Sequence, residues 1–384
     1  MSDRGGPLVE GDIRLLVGPA DFAGQASAWA RAAGTLPHVS ACSFAVTNSA
    51  GFTAGTDCAV DPVTFADEAW SQEHERWVGG FTHVVIEAGR PITGLRHGLD
   101  CAGELPILAE MGVRVAMVAH GSDVRRPDSH RRREPDSPFA DLDSADSKRR
   151  QKYADRIAPL IDSCRWAFAS TPDLFEDVPS ARWLPVVVDP QRWLAKPWEP
   201  LTEPLTERST GRAAVLPPLV VHVPSDTYLK GTEAIEPVLH RLVEAGRIRY
   251  RPLRSVPYQD MPVVLAEADI VLDQFAIGSY GVAAVEALAT GRVVIGHVRP
   301  EVRHRVMADT GWSLPIVEST PATLEQVIEE LLADVSAWRD RALLGPAFVD
   351  DVHDGRRSAA ILKDFLVAPT PDGFLSGRHD APGG

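Results

Sequence analysis

The segment DIVLDQFAIGSYGVAAVEALATGRVVIG, residues 269–296, places a strand-like apolar run, a loop with two glycines and a helix in direct succession. Gly278 and Gly281 let the backbone approach a ligand closely. The N–H groups of Ser279, Tyr280, Gly281 and Val282, aligned with the helix dipole, then form an anion site suited to a phosphate or diphosphate. Glu286, one and a half turns into the helix, can return to accept hydrogen bonds from ribose hydroxyls. The competing reading is a tight strand–helix turn with Glu286 on the solvent face. In VVHVPSDTYLKGTEAIEPVLHRL, residues 220–242, Lys230 precedes Gly231 at a helix start, with Thr232 as a cap. Lysine occurs only at 148, 152, 196, 230 and 363, and Lys230 is placed to neutralise a diphosphate, or is an exposed surface lysine.

The first half offers VAMVAHGSDVRRP, where His120, Gly121, Ser122, Asp123 and Arg125 directly follow an apolar strand, the position of cleft residues. In LLVGPADFAGQASAWARAAG, Gly18, Pro19, Gly24 and Gln25 occupy the loop leaving the first strand. This is not Gly-x-Gly-x-x-Gly, and no acidic ribose partner follows, so a nicotinamide fingerprint is absent. The charged stretch at 125–150 reads as a mobile solvated loop, with a substrate-recognition flap as the alternative. Its Asp141 and Asp143 do not end an apolar strand, so a metal-binding Asp-x-Asp is not expected.

These residues need a scaffold, and the hydrophobic pattern supplies one. Strand-length apolar runs alternate with helix-length segments, the pattern of parallel sheets covered on both faces, hence an α/β fold. Strands are predicted at 13–17, 39–46, 83–87, 113–118, 166–169 and 183–188, with helices near 25–33, 105–111 and 154–164. After the Pro-rich stretch 189–218 the alternation restarts: strands at 219–223, 248–253, 270–275, 293–298 and 314–318, helices at 231–245, 261–268, 281–290 and 324–334. The expected domains are therefore 1–188 and 219–345, joined by the linker 189–218. A helical segment at 346–367 follows, free to pack on either half, and then a disordered tail, 368–384. Ligands of such sheets bind outside the carboxyl ends of the strands.

Length and composition agree with two domains: 384 residues, 44% hydrophobic and 24% charged. No apolar stretch of membrane-spanning length and no signal-peptide core are present, which predicts a cytoplasmic protein with no transmembrane segment. The four cysteines show no metal-ligand or disulfide spacing, and a formal net charge of −14 disfavours a nucleic-acid partner.

In this order the motifs resemble the GT-B glycosyltransferases, the glycogen-synthase-like group often called group 1 or family 4. The resemblance rests on Gly18-Pro19, Gly24-Gln25, His120-Gly121, Lys230-Gly231 and above all Tyr280-Gly281-Val282 through Glu286 to Gly291, and covers residues 13 to about 366. It implies two Rossmann-like domains facing a cleft. A nucleotide-diphosphate sugar would be the co-substrate, held by the second domain, and a small-molecule, glycan or natural-product acceptor would be held by the first. On the acceptor side it places Gly18, Gly24, Gln25, Gly121, Ser122 and Arg125, and near the reacting sugar carbon His120. The base is expected against Leu253–Pro257, with Leu253 and Val256 foremost. The family's Glu-x7-Glu pair keeps its second member as Glu286, while the first falls on Gly278. Asp273, Gln274 or Ser279 then remain to meet the sugar. The family's diphosphate-binding Arg falls near Ser225 or Thr227. The resemblance further implies metal-independent transfer with retention and no cofactor; an inverting enzyme would instead need His120 or Asp123 as base. Two other readings stand beside it: a sugar-nucleotide epimerase of the same architecture, and a degenerate nucleotide-sugar-binding module. The scarcity of lysine fits a bacterium of high-GC genome.

Overall fold

The structure, a computed structural model, describes residues 11–47, 55–193, 216–224, 226–253 and 256–369. Most of the expected linker, 194–215, and most of the expected tail, 370–384, lie outside the described residues, as does Ser225. The chain divides into two compact units, one formed by residues up to Met117 together with those from Ala359 on, the other by Val118–Ser358.

Seven strands make the first sheet: β1 (Ile13–Gly18), β2 (Val39–Val46), β3 (Cys58–Val60), β4 (His83–Glu87), β5 (Arg114–Ala119), β6 (Ala167–Ala169) and β7 (Arg182–Trp183). Their order is β3-β2-β1-β4-β5-β6-β7. Pairing is parallel, with Leu16 opposite both Cys42 and Val84. In the first unit Leu15, Leu16, Val17, Val84, Val85 and Ile86 are almost wholly buried, as strands covered on both faces require. The helix Glu68–Val78 was not foreseen, because its polar sequence hides the helical period. Asp67 caps it, accepting from Trp70 N at 2.8 Å, and His74 stacks between Trp70 and Trp77 at 4.3 and 5.0 Å.

The second unit holds a five-stranded sheet of β8 (Leu219–His222), β9 (Arg249–Pro252), β10 (Ile270–Leu272), β11 (Val293–Gly296) and β12 (Ile316–Glu318), in the order β12-β11-β10-β8-β9 and parallel throughout. Alternate residues serve opposite faces. Val220, Ile270, Leu272, Val293 and Ile295 pack with Ile235, Leu239 and Ile328. Val221, Val271 and Val294 pack with Ala284, Val285, Leu288 and Phe348. This is the doubly wound arrangement the alternation predicts.

The charged stretch 125–150 departs from the expected mobile loop. It contains the helix Pro127–Arg133 and the start of a long helix, Ala145–Asp162. Pro127 suits the first helical position, and Ser144 caps the second helix by accepting from Ser147 N at 3.2 Å. Asp143 N donates to Asp141 Oδ1 at 2.8 Å, so that pair shapes a turn. The helix Pro300–Thr310 is also an addition, and the expected helical segment 346–367 holds the end of the helix Val335–Val352 and the helix Arg356–Val367. Pro300–Thr310 buries only Val302 and Val306, too few apolar positions to show a period.

Candidate functional site

The site grows from β10. Asp273 and Gln274 leave its carboxyl end, buried at 3% and 4% exposure. Gln274 organises the loop that follows. Its Oε1 accepts from Ala276 N and Ile277 N at 3.2 and 2.7 Å, and its Nε2 donates to the carbonyls of Ser279 and, at 2.6 Å, His297. All of its polar atoms are therefore committed to backbone. Gly278 is left-handed (φ 73°), and a Cβ there would lie 2.7 Å from Arg299 Cγ, so only glycine fits. Ser279 Oγ donates to Asp173 Oδ1 at 2.6 Å, and Asp173 Oδ2 accepts from Arg125 at 2.5 Å. Burial opposes the Asp173 charge, yet the Arg125 guanidinium holds its carboxyl down to about 2.

Tyr280 contributes backbone rather than phenol. Its ring is 3% exposed, packs edge-on against His353, and burial pushes the hydroxyl far above its ordinary value. Gly281 caps the helix Val282–Ala289 in an extended conformation, and a Cβ built on it meets nothing within 4 Å. Gly281, Val282 and Ala283 are only half-buried, and the first-turn N–H groups of a helix have no partner within it.

Lys230 follows β8 and is fixed by its own carbonyl, which accepts from Phe275 N at 3.0 Å. Its Nζ forms an ion pair with Asp273, at side-chain exposures of 16% and 3%. Lys230 is thus a largely covered, paired lysine and not an exposed one. Thr232, expected as a cap, instead bonds His222 Nε2 at 2.9 Å, and Gly231 caps the helix. Thr227 is exposed.

Glu286 lies inside the helix and not on the solvent face, at 5% exposure. Its Oε1 has no hydrogen-bond partner among the described residues. Burial pushes its carboxyl up to about 7, against a hydrogen bond with Tyr258 and the charges of Arg192 and Lys230. The Arg192 guanidinium stacks 4.0 Å from the Tyr258 ring and donates to the Tyr258 carbonyl at 3.1 Å. Leu253, Val256, Trp193 and Tyr258 belong to one apolar cluster, so the expected base contacts come with an aromatic and a guanidinium face. Arg192, Trp193 and Tyr258 were missed by sequence reading, because no period or motif marks them. The Arg-Trp pair at the edge of the Pro-rich stretch was the available signal.

At the end of β5, Asp123 (4% exposed) closes a turn. It accepts from His120 N at 3.1 Å to each carboxylate oxygen and from Gly121 N at 2.6 Å. Arg125 leaves this turn toward Asp173, and Ser122 is exposed. In the first unit, Gly18 ends β1 where a Cβ would sit 2.5 Å from the Phe44 carbonyl. Gly24 caps the helix Gln25–Ala33, and Gln25 is 2% exposed. Two unforeseen carboxylates hold this loop. Glu87 accepts from Ala20 N and Asp21 N at 2.8 and 2.7 Å, and Asp21 accepts from Ser27 N at 3.1 Å. Among the described residues no group of three or more His, Cys, Asp or Glu side chains is arranged to hold a metal ion, and no helix is long and apolar enough to cross a membrane.

Two parallel sheets of seven and five strands, with loops of chemical character at their carboxyl ends, constitute the GT-B architecture of glycosyltransferases. Solved structures with this arrangement include sucrose-phosphate synthase from Thermosynechococcus elongatus, at a TM-score of 0.56 and 12% identity over 92% of this chain and 97% of that one. HepE from Anabaena in complex with UDP matches at 0.56 and 12% over 93% and 100%, and a glycosyltransferase from Rickettsia africae at 0.52 and 11% over 94% and 100%. No protein-family model matches the chain, and no curated protein matches it. At these identities the likeness establishes the fold.

Proposed function

We propose that the protein is a glycosyltransferase of the glycogen-synthase-like group, taking a hexosyl unit from a nucleoside-diphosphate donor and passing it to a small-molecule, glycan or natural-product acceptor. The observation that carries the reading is the orphaned oxygen of Glu286. A nine-tenths-buried carboxylate with an unused acceptor is costly unless a ligand donates to it. Ribose hydroxyls are such donors, and the open first turn of the same helix accepts the attached diphosphate. HepE, solved with UDP and with UDP-glucose, makes a uridine diphosphate donor the first to try.

In this reading the diphosphate lies against the N–H groups of Ser279–Val282 and Lys230, and the base against Leu253, Val256 and Tyr258. The sugar meets Asp273 and the backbone around Gly278. As the sugar–phosphate bond breaks, negative charge grows on the leaving diphosphate, and preorganised N–H dipoles with Lys230 stabilise it without a metal. Transfer with retention needs no separate base, since a diphosphate oxygen takes the acceptor proton. Because Asp123 is committed to its turn, its part is to present His120, which faces the reacting carbon.

Calorimetry and turnover with UDP-, GDP-, TDP- and ADP-sugars, with and without chelator, test the proposal. Binding of one donor and acceptor-dependent nucleotide release support it. Absence of binding refutes it, and a new sugar isomer without acceptor would mark an epimerase instead.

A further inference from the structure

The loop Ala276–Gly281 is held by residues of other segments, and Arg299 concentrates this hold. Its N–H donates to the Gly278 carbonyl at 3.0 Å. Its methylene stem fills the place a Gly278 side chain would take, with Cγ and Cδ at 2.7 and 2.9 Å from that Cβ position. Its guanidinium forks onto Glu176, Nη1 to Oε1 and Nη2 to Oε2, both at 2.9 Å, and its Nε lies 3.5 Å from Glu134 Oε1. The Arg299 side chain is 8% exposed.

The carboxylates that receive Arg299 are themselves fixed. Glu134 (3% exposed) bonds His297 Nε2 at 2.9 Å, and His297 Nδ1 bonds Glu318 at 2.7 Å. Burial disfavours the His297 cation, but Glu134 and Glu318 outweigh that and push it up to about 9. Glu176 also takes Arg133 at 2.8 Å. His130 Nε2 meets the Ile277 carbonyl at 3.1 Å, so the helix Pro127–Arg133 and its flank hold the same loop. A bidentate Arg–carboxylate fork from a buried guanidinium fixes geometry where a single ammonium contact would not, although Glu176 itself is partly exposed.

We infer that Arg299 is the positioning residue of the donor loop: it sets the backbone of Gly278–Gly281 so that consecutive N–H groups converge on the diphosphate, while touching no part of the donor. The inference rests on the donor reading above and adds to it the residue that shapes the anion site. Its signature is selective, since a displaced N–H cradle weakens donor binding while the reacting groups stay in place.

The test uses Arg299→Lys, which keeps stem and charge but loses the fork, and Glu176→Gln, which weakens the fork from its other end. Donor KM is expected to rise about tenfold in Arg299→Lys with kcat within about threefold, and Glu176→Gln to show the same split at smaller size. In ligand-free protein, amide hydrogen exchange at Ile277–Gly281 should quicken in both variants while β11 stays protected. Unchanged loop exchange in both variants overturns the inference, as does uniform loss of protection across the second sheet, which would mark Arg299 as a general strut. A wild-type protein that binds no nucleoside diphosphate overturns the donor reading, and the exchange comparison still decides the positioning role.

Discussion

Two buried carboxylates stand near the carboxyl ends of strands in the second unit, and they are treated in opposite ways. Asp123 receives three backbone N–H contacts within 3.1 Å and closes a turn. Glu286, equally buried, is left with an oxygen that no described residue satisfies. A satisfied buried acid is part of the fold, because its desolvation is repaid on folding. An unsatisfied one destabilises the folded protein until a ligand arrives. Sequence reading placed both in the site, and only their surroundings separate them.

The sharpest break of this contrast is Glu286→Gln. Donor affinity is expected to fall by about a hundredfold in calorimetry, because the acceptor for the ribose hydroxyls loses its charge. At the same time Tm at pH 8 should rise by a few degrees. Burial pushes the Glu286 carboxyl up from the ordinary glutamate range to about 7 in the folded chain, so as pH rises through that window the folded state resists losing its proton and stability falls. The amide removes that penalty. A fall in Tm would show that Oε1 has a partner after all.

Lys230→Ala is expected to lower turnover by about tenfold or more and also to lower Tm, since it strands the buried Asp273 without its cation. The double variant Lys230→Ala, Asp273→Asn should recover the Tm and not the turnover. Recovery of both would make the pair purely structural.

For Asp123→Asn the expectation reverses that for Glu286. An amide nitrogen cannot accept, so the turn loses one hydrogen bond and the protein about 1–3 kcal/mol, while nucleotide affinity changes less than about twofold. A selective loss of affinity would return Asp123 to the donor site.

The smallest effect is on pH. With burial pushing the Glu286 carboxyl up to about 7, nucleotide affinity should weaken as pH falls from 8 to 6, by about tenfold at most over the whole window, because the protonated carboxyl no longer accepts fully. The slope should vanish in Glu286→Gln. Persistence of the slope would assign it to another group.

Much of the second sheet was legible because β8, β10 and β11 are apolar runs bounded by Gly, Pro and charged residues, and their order dictates where loops carrying Lys230 and Ser279–Val282 must lie. The helices Glu68–Val78, Pro127–Arg133 and Pro300–Thr310 were not legible, since their buried positions are few and polar residues dominate their sequence. With them went Glu134, His297 and Arg299, whose pairing joins positions more than 160 residues apart, as His297 and Glu134 show. A charge run looks the same in sequence whether solvated or locked into buried pairs.

By itself the sequence determined the α/β alternation, the glycine-bearing strand-to-helix loop and the place of Lys230 just before one helix and of Glu286 inside another, because these depend on local period and on groups a few residues apart. Tertiary structure alone decided that one oxygen of Glu286 is left unpaired among the described residues while Asp123 is satisfied, that Lys230 is paired with Asp273, and that Gly278 lies under Arg299. Each of those facts is a matter of which distant chain segment fills the space beside a side chain, and burial and partnership are set by packing.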